Sequence, residues 1–454
     1  MSDKPLSYMP TDGLTYDPEE SKYFDSSALR KEIDRVFEVC NGCRLCFKYC
    51  DSFPSLFKLL DDKHGGDTRK LSDADVTDVM TQCFQCKLCE VQCPYTPRDK
   101  HEYQLDFPKL VHRWQANRHR EHGDDLRDMV LGNPDMLGAL GRASLGMANV
   151  MNKVGAHRWL LEKTLGISSK KDLPDFAMTT FERWAHKAGK VQDAAPGQEA
   201  VLFQTCFIQH NEPQIGRDAV EVLDKCGVKT VCQEGFKCCG MPAWEHGDLD
   251  SLRKQARHNL DLLLPYVRQG AKVLVINPTC SMMMRREYPE LLSKEERPRA
   301  VELAKAVMDT GEFLFSIRKE PRFSKAFKST PGNKVAYHAP CHLRAQAVGM
   351  KGRDLLRQIP GVEAHSTLEC CGHDGTWAMK VEGFESSKKV GERAFSGMKE
   401  AEAKVWATEC PLAATQFKQH AGVKPMHPIS VLAKAYRAPE EGGFETPVKE
   451  EPKP

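Results

Sequence analysis

Apolar positions along the chain follow two different periods, and the switch between them divides it. Leu29, Ile33, Val36 and Phe37 fall three or four residues apart, which predicts a helix capped by Ser26 or Ser27 that delivers Cys40. The stretch Asp73-Ala-Asp-Val-Thr-Asp-Val-Met predicts a second, short helix ending at Cys83. Between about Asp124 and Trp184, Leu137, Leu140, Met147, Met151 and Val154 recur at helical spacing, with Ala143 and Ala148 beside them. They predict an amphipathic helix packed on the preceding region. A second reading is a helix lying on a membrane surface, because Lys153, His157 and Arg158 precede Trp159-Leu-Leu. Few lysines or arginines line its polar side, which weighs against that reading.

Past a linker at 186–197 the pattern changes to short apolar runs alternating with helical stretches. Strands are expected at 200–203, 228–231 and 273–276, with helices near 219–223 and 251–267. The order then repeats, with strands at 335–337, 362–365 and 404–407 and helices around 355–356 and 382–398. Strand–helix alternation of this kind predicts a small parallel α/β layer in each copy. One more helix runs through Val431 and Ala435. Residues 1–24 are polar and punctuated by Pro and Gly, and 438–454 are rich in Glu, Lys and Pro; a flexible arm and a disordered tail are expected there.

Composition narrows the class. The 454 residues are 41% hydrophobic and 28% charged, enough to bury real cores, and the net charge of +2 gives no reason to expect nucleic acid. The opening MSDKPLSYMP lacks the basic and apolar regions of a signal peptide, and no apolar run approaches the ~20 residues that span a bilayer. The 18 cysteines are therefore expected as metal ligands in a reducing cytoplasm.

Their spacing is specific. Cys40, Cys43, Cys46 and Cys50, then Cys83, Cys86, Cys89 and Cys93, each form C-x2-C-x2-C-x3-C. In that pattern three thiolates wrap one iron–sulfur cube and the fourth reaches a second. Cys40, Cys43, Cys46 and Cys93 would hold one [4Fe–4S] cluster, and Cys83, Cys86, Cys89 and Cys50 the other. Pro94 closes the second run as such runs usually close; Asp51 stands at that place in the first. Structural zinc would use paired knuckles or histidines, heme c needs C-x-x-C-H, and two identical four-cysteine runs fit neither.

The repeat carries the remaining chemistry. Cys206, Cys238, Cys239 and Cys280 in the first copy correspond to Cys341, Cys370, Cys371 and Cys410 in the second. Each copy thus brings four thiolates to the carboxyl ends of its strands, where ligands of parallel sheets converge. The glycine after each cysteine pair, Gly240 and Gly372, would let backbone approach a metal closely. Cys226 reads as a packing residue at a helix end.

The stretches Thr205-Cys206-Phe207, Cys238-Cys-Gly-Met-Pro242, Tyr337-His-Ala-Pro-Cys341-His342, Cys370-Cys-Gly-His-Asp-Gly-Thr376 and Glu409-Cys410-Pro411 resemble the CCG-domain iron–sulfur subunits related to heterodisulfide reductase. Within that family they look most like those serving anaerobic glycerol-3-phosphate dehydrogenases. The resemblance implies an α+β multi-domain fold: an arm (1–24), a helical two-cluster ferredoxin-like domain (25–110), an amphipathic helical connector (111–190), CCG repeats at 198–320 and 330–437, and a tail (438–454). It also implies one or two further iron–sulfur clusters in the repeats. The chain departs from the family's final C-x-x-C, since Met283 and Ala413 occupy the last places, and Cys232 is the residue that could replace a fifth ligand in the first copy.

No GxGxxG follows a strand and no GxxxxGK[ST] is present, so a hydride has no evident acceptor here. The expected role is electron transfer from a flavoprotein dehydrogenase subunit or other redox protein towards quinone or another acceptor, in the cytoplasm, with peripheral contact on the inner face of the membrane. The alternative is an enzyme that reduces a disulfide or a peroxide-linked partner at a CCG site. His338, His342, His373, Arg344 and Lys380 surround the second site in the sequence. His342, His373 and Lys380 are the candidate catalytic groups, as donors to sulfur or as proton sources.

Overall fold

The computed structural model describes residues 6–373 and 375–448. Its amino-terminal part is helical: α1 (Ser26–Cys43), α2 (Ser52–Leu59), α3 (Asp73–Thr81), α4 (Leu88–Gln92) and α5 (Phe107–His122) enclose Ile33, Val36, Phe37, Phe53, Leu56, Leu88 and Leu110. Asp25, rather than Ser26 or Ser27, caps α1 by accepting the Ala28 N–H at 2.6 Å. Ser72 and Asp75 form a reciprocal capping box that starts α3. Helix α5 crosses the boundary expected at residue 110 and packs on α1.

Residues 6–24 are not a flexible arm. The buried Arg113 guanidinium on α5 donates to the carbonyls of Gly13 at 2.8 Å, Tyr23 at 2.9 Å, Thr15 at 3.3 Å and Lys22. Asp17 pairs with Arg297 and Glu19 with Arg253, the latter at 2.7 Å, so the segment straps the helical part to the first repeat. Its polar composition suggested solvation; the carbonyls it presents to one cation decided otherwise. Expectations for residues 1–5 and 449–454 lie outside the described residues.

In the first repeat β1 (Ala200–Phe203), β2 (Thr230–Cys232), β3 (Lys272–Val275) and β4 (Val307–Asp309) are all parallel, in the order β2-β1-β3-β4. After the short β5 (Ser329–Thr330), the second repeat places β6 (Lys334–His338) between β7 (Glu363–Thr367) and β8 (Val405–Thr408), again parallel. Both copies therefore put their first strand in the middle. Strand β4 has no counterpart among the described residues of the second copy. It was not expected, because three residues between two helices carry no alternation or turn signal. The copies share one apolar core that joins Leu202, Leu274, Val335 and Tyr337 to the helix Pro428–Ala435. Residues 438–448 also depart from the expected disorder: Phe444 is buried, and β9 (Thr446–Pro447) pairs antiparallel with β5.

The connector is α6 (Leu126–Leu131), α7 (Pro134–Ala143), α8 (Met147–Met151) and α9 (Gly155–Leu165), broken at Gly132, Gly146 and Val154 rather than continuous. Its packed face is the small one. A Cβ on Gly138 would lie 2.3 Å from the His210 ring, and one on Gly141 2.3 Å from Phe176. Leu140, Leu145, Met147, Val150 and Trp159 face outward, each more than half exposed. The expectation of an apolar stripe packed on the cluster region is thus reversed.

Glu245, on the helix Met241–His246, joins the two repeats by accepting from the Thr376 N–H at 3.0 Å and its hydroxyl at 3.2 Å. Burial raises its carboxyl to about 7, against the opposing pull of Lys380. The folded state therefore binds this proton more tightly than the unfolded chain. The associated stability is present below about pH 4.5 and is lost as pH rises to about 7. Glu245→Gln should flatten that decline in denaturant titrations between pH 5 and 8, removing up to about 3 kcal/mol of slope. Arg113→Met strips four carbonyls of their donor; a loss of about 3 kcal/mol and early tryptic cleavage inside residues 6–24 are expected.

Candidate metal centres

The two amino-terminal cysteine runs are built alike. Helix α1 carries Cys40 and Cys43 to its end, and α4 carries Cys89. In each run the residue after the second cysteine is in the left-handed region, Arg44 at φ 53° and Lys87 at φ 59°, which turns the chain so that the third cysteine comes back towards the first two. Neither is glycine, so the conformation carries strain that packing must hold.

Burial and then the neighbouring Cys46, Cys93 and Cys43 push the Cys40 thiol well up. Cys46 is pushed to about 12 by burial with Cys93, Cys43 and Cys50 beside it. Cys89 rises with burial and with Cys46, Cys83 and Cys50 around it. Cys40, Cys43, Cys46 and Cys93 thus lie together, and Cys89, with Cys83 and Cys50 beside it, adjoins them through Cys46. The cavity lined by Cys40, Cys43, Cys46, Cys89 and Cys93 has apolar walls from Phe53, Phe57, Leu105 and Phe107. A half-buried nest of soft donors with apolar walls fits an iron–sulfur cluster and disfavours a hydrated hard cation.

In the first repeat the loops after β1, β2 and β3 bring four free thiols together. Cys238 lies beside Cys206 and Cys239, and Cys239 beside Cys280, each close enough to shift its neighbour's acidity. Tyr288 donates to the Cys239 carbonyl at 2.8 Å and fixes the pair from behind. In the second repeat Cys341 opens the helix Cys341–Ala345, Cys370 accepts the Gly372 N–H at 3.3 Å, and Cys410 accepts the Ala413 N–H at 3.5 Å as the cap of the helix Pro411–Ala421. These cysteines follow β6, β7 and β8 at one edge of the sheet.

Several sequence expectations change. Cys232 lies at the end of β2 in the core shared by the repeats, near Lys190 and Asp224, whereas Cys238, Cys239 and Cys280 line the other core. It does not join the first group. Cys226 packs against Tyr436 at a helix end. Gly240 and Gly372 are also needed for packing: at φ 89° and 75°, their added Cβ atoms would strike Leu252 and the Ser387 carbonyl at 2.5 and 2.0 Å. His342 bonds Thr279 Oγ1 at 2.9 Å and the Gln85 carbonyl at 3.1 Å, using both ring nitrogens. His338 spans Thr408 and the Glu369 carbonyl, and Arg344 donates to the Leu368 carbonyl. Lys380 pairs with Asp128 at 2.9 Å. Of the three candidate catalytic groups, His342 and Lys380 act as struts. His373 is buried two residues after Cys371, with the Gly375 backbone acting on its ring, and by hydrogen-bond geometry its ring nitrogens lack partners among the described residues.

Sequence reasoning missed two charged groups at the repeats. Asp135 on α7 accepts the Cys238 N–H at 2.9 Å. The buried Lys171 acts electrostatically on Cys371. Both come from the connector stretch, tens of residues from any cysteine, so no motif marks them.

A family model described as a cysteine-rich domain, CCG, matches residues 200–285 and 335–418. In Escherichia coli (strain K12), the anaerobic glycerol-3-phosphate dehydrogenase subunit designated C is 30% identical over 318 residues, covering 68% of this chain and 77% of that one. Lactate utilization protein A 2 of Bacillus cereus is 28% identical over 187 residues, covering 40% of this chain and 74% of that protein.

Iron analysis of anaerobically purified variants tests the grouping. Cys238→Ala should lose one site's iron and its spectroscopic signal, while Cys232→Ala keeps the full wild-type content.

Proposed function

We propose a function from one established point: the chain belongs to the CCG cysteine-rich domain family, which includes a subunit of anaerobic glycerol-3-phosphate dehydrogenase. It is an iron–sulfur redox subunit of an oxidoreductase complex. It takes electrons from a flavoprotein dehydrogenase partner of the glycerol-3-phosphate type and carries them towards quinone or another acceptor. Cys40, Cys43, Cys46 and Cys93 hold one [4Fe–4S] cluster, and Cys83, Cys86, Cys89 and Cys50 a second. Cys206, Cys238, Cys239 and Cys280, and Cys341, Cys370, Cys371 and Cys410, hold one or two more. Such clusters, when bound, supply one-electron carriers whose potentials the protein tunes.

The observation that carries this reading is the convergence of the sites. Helix α4, with Cys89, packs on the helix Cys341–Ala345, which packs in turn on the helix Pro278–Met282, with Cys280. His342 ties the three together through Gln85 and Thr279. Phe84 and Trp377 close the remaining gap, ring centroids 4.7 Å apart. A chain that only stored metal would have no need to gather separate sites around one junction. The alternative, a disulfide-reducing enzyme, loses support because two of its three proposed proton groups are engaged as struts.

The outward apolar face of the connector supports peripheral contact with a membrane surface, where a quinone acceptor resides. Leu140, Leu145, Met147, Val150, Trp159 and Leu160 form a patch that water alone does not explain. Among the described residues no helix is long and apolar enough to cross a membrane.

The chain purified alone should oxidise no glycerol 3-phosphate, and adding the flavoprotein partner should bleach its visible absorption with that substrate. Absorption that stays unchanged with a competent partner would sink the electron-transfer reading. In flotation with anionic vesicles, Leu145→Asp with Val150→Asp should abolish co-migration; wild-type protein that stays with the soluble fraction would leave a protein partner as the occupant of the patch.

A further inference from the structure

The two CCG sites are flanked by opposite charges. At the first, the Asp135 carboxylate accepts the Cys238 N–H and acts on the Cys206 and Cys238 sulfurs. Behind it the His210 Nε2 lies 3.3 Å from Asp135, and Arg142 lies 2.6 Å from the His210 Nδ1. A guanidinium can only donate, so Nδ1 accepts and Nε2 carries the proton. The Asp135 carboxylate is the charge adjacent to the sulfurs.

At the second site the adjacent charge is a cation. Lys171 is 2% exposed and donates to the Gln416 side chain, which in turn donates to Ser387 at 2.9 Å. Among the described residues Lys171 makes no ion pair; Asp172 is the carboxylate that acts on it, and Cys371 is the sulfur it faces electrostatically. His373, 1% exposed and with no hydrogen-bond partner for its ring nitrogens among the described residues, lies two residues after Cys371 and one after Gly372. A polar side chain buried there at full desolvation cost needs an acceptor, and sulfur of a bound cluster would be one.

We infer that the chain sets its two CCG sites at different reduction potentials, the second above the first, through Lys171 and His373 at one and Asp135 at the other. The inference rests on the reading that these cysteines hold iron–sulfur clusters. Adding one electron adds one negative charge. In a poorly screening interior a neighbouring ammonium favours that charge and a carboxylate opposes it. An N–H donated to sulfur works in the same direction as the ammonium. Lys171, His373 and Asp135 are thus positioning residues for charge, and the asymmetry orders otherwise similar repeats.

Potentiometric titration followed by electron paramagnetic resonance on the full chain tests this, with signals assigned by their loss in Cys206→Ser and Cys410→Ser. Lys171→Gln should lower the midpoint of the second site and leave the first unmoved, and Lys171→Arg should restore it. Asp135→Asn, which keeps an oxygen for the Cys238 N–H, should raise the midpoint of the first. His373→Phe should lower the second. Midpoints unchanged in Lys171→Gln and Asp135→Asn at full iron content would overturn the inference while leaving the cluster reading intact. Wild-type protein without iron would overturn the cluster reading itself. If Lys171→Gln fails to load, the Asp135→Asn shift alone decides.

Discussion

The imidazole of His342 is the contact on which the arrangement of the cysteine sites depends. One ring nitrogen meets Thr279, next to Cys280, and the other meets the carbonyl of Gln85, between Cys83 and Cys86, while its own neighbour is Cys341. Burial holds this ring neutral, its pKa lowered to about 4, so the bridge persists across any ordinary pH. The Gln85 carbonyl can only accept, so Nε2 carries a proton, and in the neutral ring Nδ1 accepts from the Thr279 hydroxyl. Desolvation opposes a second proton, which would reverse the direction of the Thr279 bond.

Around that junction the repeats do a single geometric task twice. Parallel strands ordered second–first–third deliver the loop after the central strand beside both neighbouring loops, at the point where the winding reverses. Cysteines one strand apart in space are thus collected from positions about thirty residues apart on one side and about seventy on the other. The shared apolar core and the Glu245–Thr376 contact hold the two copies as one body, so their spacing does not depend on a linker.

Much of this was legible in the chain. The period change marked the helical and α/β parts, and six strands fell within a residue or two of their expected places; all but the polar β7 are short apolar runs next to a cysteine or turn. Spacing alone singled out the eight amino-terminal cysteines and the first repeat's four as candidate ligands. What stayed hidden depends on long-range contacts. No local signal shows that Arg113 will collect the carbonyls of residues 13–23, that β9 will pair with β5, or that Asp135 and Lys171 will reach sulfurs distant in sequence. Cys232 misled because spacing registers distance along a strand and not the face of the sheet it serves.

The connector misled for a reason that bears on function. A stripe of leucine and methionine normally identifies the packed face of a helix. Here glycine takes that face, and Gly138 lets α7 lie directly against the His210 ring. No side chain intervenes to absorb movement. Asp135 and Arg142 stand on the same helix, one reaching the Cys238 backbone and the other His210. Met136 and Leu140, between them in sequence, belong to the outward apolar surface. Whatever covers that surface therefore bears on the element that carries the carboxylate beside the first repeat's sulfurs. Glycine packing makes the contact stiff, so a docking surface and a charge that acts on a metal centre share one short, rigid helix.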